Sequence, residues 1–234
     1  MNLLHFDSLG GASGDMILGA LVDLGVEAAA LQEELSKLPI GNFSIEATKA
    51  HENHIAGTRL VVHIPPPDPH DHQGRRIGDI RSLLEKASLP EPVKALSLQV
   101  FARLAEAEAS VHGIGAEEVH FHEVGAVDAF VDIVGNCLAR HWLNIEAVSF
   151  GPLPLGHGMI QCAHGTLPSP SPAAVELLKG YPVTYVDEPH ELVTPTGAAL
   201  LTTWRSLETP PAGSRILRVG YGFGQRKLDR RPNL

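Results

Sequence analysis

Apolar and polar positions along this chain repeat with several different periods, and each change of period marks an element. Residues 3–7 form a short apolar run suited to a buried strand. A glycine-rich turn separates it from a helical pattern carried by Ile17, Leu18, Leu21 and Val22, which Gly25 closes as a C′ glycine does. A second helix is predicted over 27–38, ending at Pro39. Over 43–50, Phe43, Ile45 and Ala47 alternate with Ser44, Glu46 and Thr48, the two-residue period of a half-buried strand. Residues 57–64 supply its partner across a turn at 51–54. Prolines at 65, 66, 67 and 69 make 65–76 an exposed, extended loop. Helices follow over 77–87 and 91–112. The second is amphipathic through Val93, Leu96, Val100 and Leu104, with Pro90 and Pro92 at its start, where proline is tolerated.

The next helix, 126–143, has a different pattern. Val127, Phe130, Val131, Ile133, Val134 and Leu138 make it apolar nearly all round, so it is read as buried rather than amphipathic. A strand at 147–150 follows, then a Gly- and Pro-dense stretch, 151–172, of irregular chain or short strands. A helix at 173–179, a strand at 183–186, a helix at 196–206 and a final strand at 215–220 complete the pattern. There are no internal repeats and no strict βαβ alternation. The expected class is α/β, or mixed α+β, as a single compact domain over 1–234 with a mixed sheet and flanking helices.

Charge changes the picture most at 120–132. His120, His122, Glu123, Asp128 and Asp132 lie within thirteen residues otherwise built almost wholly from Val, Ile, Phe, Ala and Gly. Charged groups in apolar surroundings are costly unless paired, hydrogen-bonded or bound to a metal. On an extended strand His120 and His122 point to one face, and Asp128 and Asp132 stand four apart on one face of the buried helix. Such like charges repel unless a cation lies between them. Metal or substrate chemistry is one reading; Asp128 as a helix N-terminal acid and a satisfied core histidine is the other. Mixed His and carboxylate donors suit Ni, Fe, Mn or Zn rather than Ca.

Two turns carry a second kind of chemistry. Gly10, Gly11, Ser13 and Gly14 lie between a strand and a helix N-terminus, where free N–H groups hold anions, with Ser13 as the expected N-cap and Asp7 and Asp15 flanking. The Lys-Ser/Thr ending of a Walker A loop is absent. Thr194, Pro195, Thr196 and Gly197 repeat the arrangement. Thr194 suits the N-cap and Pro195 the first helical position, while Thr196 and Gly197 are surplus to capping. Both turns are read as phosphate or carboxylate binders or as plain turns. Cys162 and His164 are spaced to face a soft metal together, or are a small thiol and a loop histidine. His70 and His72 form a two-histidine arm suited to transient metal capture.

The net charge of −9 argues against nucleic acid and acidic membrane as partners. The charge is uneven: residues 215–234 hold six Lys/Arg against one acid, a tail that docks a second domain, holds a phosphate, or is simply solvated. Two cysteines fit a reducing compartment, and the absence of a basic, apolar leader or a long apolar run points to the cytoplasm. Thirteen histidines beside three tyrosines and two tryptophans favour metal handling over ligand stacking.

Taken in order, residues 11–16, 120–135, 152–156, 162–165, 191–200, 220–224 and 231–233 resemble one family, the nickel-insertion proteins for the nickel-pincer cofactor. The resemblance implies insertion of Ni²⁺ into pyridinium-3,5-bisthiocarboxylic acid mononucleotide, with Ni–S and Ni–C bonds formed, to serve lactate racemase and related enzymes. It also implies dependence on CTP with Mg²⁺ or Mn²⁺, a homo-oligomer, and an apo lactate racemase-like recipient. Within that frame His120, His122, Asp128 and Asp132 are the candidate nickel ligands, with His70 and His72 as auxiliaries. Glu123 and Asp15 are the candidate catalytic groups, Glu123 as base for the ring C–H. Gly11, Ser13, Gly14, Thr194, Thr196 and Gly197 are candidates for the nucleotide. Two departures stand out. The family's longer His-rich tract is reduced here to His70-Asp71-His72, and the family continues beyond Arg231-Pro232-Asn233 into a second domain associated with CTP, to be supplied here by a missing C-terminal domain or a partner chain. The rival functions are a metal-dependent phosphohydrolase and a non-catalytic nickel carrier.

Overall fold

A computed structural model describes residues 1–65, 75–121, 127–162 and 165–234. In chain order the elements are β1 (Leu3–Phe6), α1 (Gly14–Asp23), α2 (Ala28–Leu35), β2 (Ser44–Glu52), β3 (Ile55–His63), β4 (Arg75–Arg76), α3 (Ile77–Lys86) and α4 (Glu91–His112). A single 3₁₀ turn at Ala116–Glu118 leads to β5 (His120–Phe121), α5 (Val127–Trp142), β6 (Ala147–Phe150), β7 (Leu153–Leu155), β8 (Met159–Cys162) and β9 (Gly165–Pro168). The chain continues through α6 (Pro172–Leu177), β10 (Val183–Tyr185), α7 (Pro195–Trp204) and β11 (Gly222–Phe223). The expected mixed α/β class holds, but the strands form several small sheets rather than one. Parallel pairs join β1 to β6 and β7 to β10, while β2 runs antiparallel to β3, which takes β11 in parallel on its other edge. Antiparallel pairs join β4 to β5 and β8 to β9.

The centre of the molecule is α5. It packs against α1, α2, α4 and α7, and Phe130, Val131, Ile133, Val134, Cys137 and Leu138 are all fully buried. An element enclosed on several sides needs apolar residues around its whole circumference, which explains the all-round pattern. Phe130 meets Phe101 of α4 with ring centroids 5.0 Å apart. The β2–β3 hairpin closes through Asn53 and His54 at φ 46° and 66°, the left-handed pair that matches strand twist in a tight hairpin.

One expected element is overturned. Residues 215–220 pair with no strand; Ile216 and Leu217 are 87% and 85% exposed. The edge of β3 that a C-terminal strand needs is taken further along by Gly222 and Phe223, opposite Thr58 and Arg59. A β-rich composition forms a strand only where an open edge receives it.

The last residues strap the chain back onto its beginning. Gly10 donates to the carbonyl of Leu234 at 2.8 Å, and Gly224 to that of Asn233 at 2.8 Å. Arg59 bonds both the Glu52 carboxylate, at 2.6 Å, and the Gly224 carbonyl, at 3.2 Å. Arg230 pairs with Asp187, and the Arg231 Nε lies 3.6 Å from the fully buried carboxylate of Glu188. Several tail cations therefore have definite partners and are not merely solvated.

Candidate functional site

The two turns singled out in the sequence are zipped together. Ala12 N–H donates to the Leu192 carbonyl at 2.9 Å, and Thr194 N–H donates back to the Ala12 carbonyl at 3.0 Å. This parallel bridge sets the N-termini of α1 and α7 side by side, and it needs glycine. A Cβ at Gly197 would run into the Ala12 backbone, and one at Gly14 into the Asp132 carboxylate. Thr194 caps α7 as expected, its Oγ1 accepting from Gly197 N–H at 3.2 Å. Ser13 does not behave as expected. It occupies the N-cap of α1, but its hydroxyl donates to the Asp15 carboxylate and makes no capping bond. The Met16 N–H that the Ser13 oxygen would accept goes instead to the Asp15 carboxylate, the stronger acceptor, at 2.9 Å.

A cleft of about 390 Å³ opens over these helix starts. Asp15, Asp128 and Asp132 face it together with Glu108 and Glu191, and His120, Thr194, Thr196, Ser13 and Gln225 add to its polar lining. Among the described lining residues there is no lysine or arginine. Negative charge concentrated in a concavity attracts cations. Asp15 accepts from Met16 N–H at 2.9 Å and from the Gln225 amide of the tail strap at 3.3 Å. Asp132 is held differently. Its Oδ1 is sealed from solvent without a hydrogen bond, although the residue as a whole is partly open. Burial, and then the charges of Asp15 and Asp128, push its carboxyl well above the usual carboxylate range. One helical turn on, Asn136 is fully buried and donates to the Gly14 and Asp132 carbonyls, both at 2.8 Å, locking α5 onto the start of α1.

The sequence candidates separate into three groups. Asp15, Asp128, Asp132, His120, Ser13, Gly14, Thr194 and Thr196 are brought to one cleft. Asp128 is exposed rather than buried, because the first turn of α5 sits at the cleft mouth. Gly11 and Gly197 lie behind the cleft as buried spacers, Gly11 at φ 130° against the Leu192 carbonyl. His70, His72, His122, Glu123 and His164 lie outside the described residues. His120 is exposed on β5, and its Nε2 receives the Arg76 Nε–H at 2.7 Å. Among the described residues no three His, Cys, Asp or Glu side chains close into a ready metal site. Glu108, Glu191, Asn136 and Gln225 were not singled out as site residues. Asn136, one turn after Asp132 on the same helix face, was the one that spacing could have found.

Set beside known proteins, residues 4–234 match the model of the nickel insertion protein family. A relative from Roseiflexus castenholzii, provisionally named a nickel insertion protein, is 45% identical over 99% of this chain and 57% of its own length. One from Dictyoglomus thermophilum, with the same provisional name, is 42% identical over the whole chain and 59% of its own length. One from Geobacillus kaustophilus, named pyridinium-3,5-bisthiocarboxylic acid mononucleotide nickel insertion protein, is 41% identical over the whole chain and 58% of its own length. The chain thus spans about three fifths of the length of these relatives. No solved structure matches it. On the match across 4–234 and on these relatives, the chain belongs to the nickel insertion protein family.

Proposed function

We propose that this chain receives Ni²⁺ in its acidic cleft and delivers it to a phosphorylated, sulfur-bearing pyridinium, pyridinium-3,5-bisthiocarboxylic acid mononucleotide. The observation that carries the reading is the juxtaposition of a sealed, unpartnered carboxylate oxygen on Asp132 with two adjacent helix N-termini in one cleft. Carboxylates supply a cation site and helix N-termini an anion site, which is what a metal and a phosphorylated acceptor require together. The printed name of the Geobacillus kaustophilus relative supports that acceptor.

In this reading Asp128, Asp132, His120 and His122 take the nickel, His70 and His72 hand it in, and Asp15 polarises a substrate group. Mixed oxygen and nitrogen donors hold Ni²⁺ less tightly than sulfur does, so transfer to the thiocarboxylates is downhill. The Arg76–His120 hydrogen bond must break, or the ring must use its other nitrogen, before His120 ligates. The phosphate lies at the starts of α1 and α7, against Ser13, Gly14, Thr194 and Thr196, with Gly11 and Gly197 as the spacers that let the two turns approach. As the Ni–C bond forms, the ring carbon loses its proton, and Glu123 is assigned as the base that takes it. CTP with Mg²⁺ or Mn²⁺ is assigned to a C-terminal domain or partner chain, within a homo-oligomer. The recipient of the product is an apo lactate racemase-like enzyme.

The deciding experiment mixes the chain with Ni²⁺ and the thiolated nucleotide, with and without CTP and the C-terminal part of a full-length relative, and reads activation of an apo lactate racemase. Equilibrium dialysis reads nickel separately. The reading predicts saturable nickel binding that Asp132→Asn and His120→Ala each weaken, with Asp15→Asn impairing conversion. Absence of nickel binding, or affinity indifferent to both substitutions, overturns the site. Nickel binding without conversion under any condition leaves the carrier, and Mn²⁺-dependent turnover of generic phosphoesters leaves the phosphohydrolase.

A further inference from the structure

The opposite end of α5 carries a second, chemically different cavity. Asp128 and Arg140 are twelve residues apart on one straight helix, roughly 18 Å. Beside Arg140 a space of about 320 Å³ opens between the last turn of α5 and the first turns of α4, walled by Pro92, Leu96, Cys137, His141 and Ile145. That is the lower end of the range for small-ligand pockets.

Arg140 lines this space, and no described carboxylate lies within ion-pair distance of it. Its guanidinium lies over the Trp204 ring, 5.7 Å from the centroid, and its Nε is buried with no hydrogen-bond partner. The acid on the cavity wall, Glu146, lies 3.7 Å from the terminal ammonium of Met1. Burial pushes the Cys137 thiol up to about 12, so at neutral pH it is uncharged. Nor does Arg140 serve as a helix cap. The carbonyls of Arg140 and His141 already accept from Ile145 and Asn144 N–H, at 3.2 and 3.0 Å, in a Schellman turn with Asn144 at φ 51°. A half-buried guanidinium lying over an aromatic face, with no hydrogen bond or ion pair to a described residue, is suited to a planar anion.

We propose that this cavity binds a small organic carboxylate bearing a short aliphatic chain. The carboxylate pairs with the guanidinium of Arg140, which lies over the Trp204 ring. The chain lies on Pro92, Leu96 and Ile145. A carboxylate is favoured over phosphate because the walls offer apolar surface on one side and, on the other, Arg140 as the only lysine or arginine among the described lining residues, with Glu146 opposing a second negative charge and only the His141 imidazole to answer it. The site is independent of the nickel reading, since it shares no lining residue with the acidic cleft.

The test uses the 234-residue chain with Trp142→Phe, so that tryptophan fluorescence reports Trp204, titrated at constant ionic strength with butyrate, acetate, phosphate and n-butanol. Butyrate should give a saturable change, tighter than acetate, with phosphate and butanol weak or silent. Arg140→Gln should weaken butyrate about ten- to a hundredfold, the loss expected of charged hydrogen bonds, with Arg140→Lys in between. Leu96→Phe, which takes up cavity volume, leaves the guanidinium in place and adds no tryptophan, should also weaken butyrate. This second variant keeps the test decisive where Arg140→Gln fails to fold. A linear response, or butyrate affinity unchanged in either variant, overturns the site; phosphate binding as tight as butyrate overturns the carboxylate assignment.

Discussion

The carboxylate of Asp132 lies against the Cα of Gly14, the first residue of α1, so closely that a methyl group there would collide with it. Gly14→Ala should therefore behave as overpacking despite alanine's better helix propensity. It should destabilise the chain by about 1–3 kcal/mol. Chemical denaturation compares stability, and equilibrium dialysis should show weakened nickel binding, because Asp132 must move to make room.

Asp132 itself should cost the apo protein stability at neutral pH. Burial and the neighbouring charges of Asp15 and Asp128 raise its folded-state pKa. A raised pKa gives a contribution that is full below the unfolded value, about 3.9, and is lost as pH rises through the folded value. Asp132→Asn should therefore melt above the wild type at pH 8, by about 2–4 °C if the gain is near 1 kcal/mol, with the gap closing towards pH 4. Saturating Ni²⁺ should reverse the order. A variant that melts below the wild type at pH 8 without metal would count against the buried charge.

Asp23 works in the opposite sense. Burial tends to raise it, but hydrogen bonds from Lys49, from Tyr221 N–H at 3.0 Å and from Thr58 at 2.8 Å outweigh that and hold it below the usual value. Its contribution is present above the unfolded pKa and fades as pH falls through the folded one. Asp23→Asn should cost about 1–2 kcal/mol at pH 7 through the lost charged hydrogen bonds, and progressively less below pH ~4. Denaturant midpoints at pH 7 and pH 3 read the difference.

Thr194 is the cap of α7 and part of the zipped turns. Thr194→Ala should cost about 1 kcal/mol, and Thr194→Ser should restore most of it. Thermal unfolding of the three proteins checks the cap. Loss of binding of the thiolated nucleotide in the alanine variant, beyond what the stability loss explains, would mark the turn as part of its site.

Most of the helices were legible because their patterns are long. The 3.6-residue rhythm of α4 and the apolar circumference of α5, interrupted along one face by Asp128, Asp132, Asn136 and Arg140, each sum many weak preferences over several turns. Residues 215–220 misled for the opposite reason: Ile216, Leu217 and Val219 favour a strand, but that preference needs an open edge, and β11 takes the available one. The N-cap position of Ser13 was also legible, and its loss of the capping bond was not, because the Ser13 oxygen and the Asp15 carboxylate compete for the Met16 N–H within one turn. Spacing put Asp128 and Asp132 on one face but not at different depths. Asp128 stands at the open mouth, while Asp132, one turn deeper, lies against α1.

The sequence by itself determined the class, the buried central helix, the two glycine- and threonine-marked helix starts and the concentration of histidine and carboxylate side chains, since these are local properties of pattern and composition. Only the tertiary structure decided that Ala12 and Thr194 bridge, that Asp15 and Asp132 share a cleft with Glu191 from far along the chain, and that Arg140 lines a partly apolar cavity with no described carboxylate paired to it. Those relationships depend on which surfaces are packed together and which groups lose water when they do, and no periodicity along one chain encodes that.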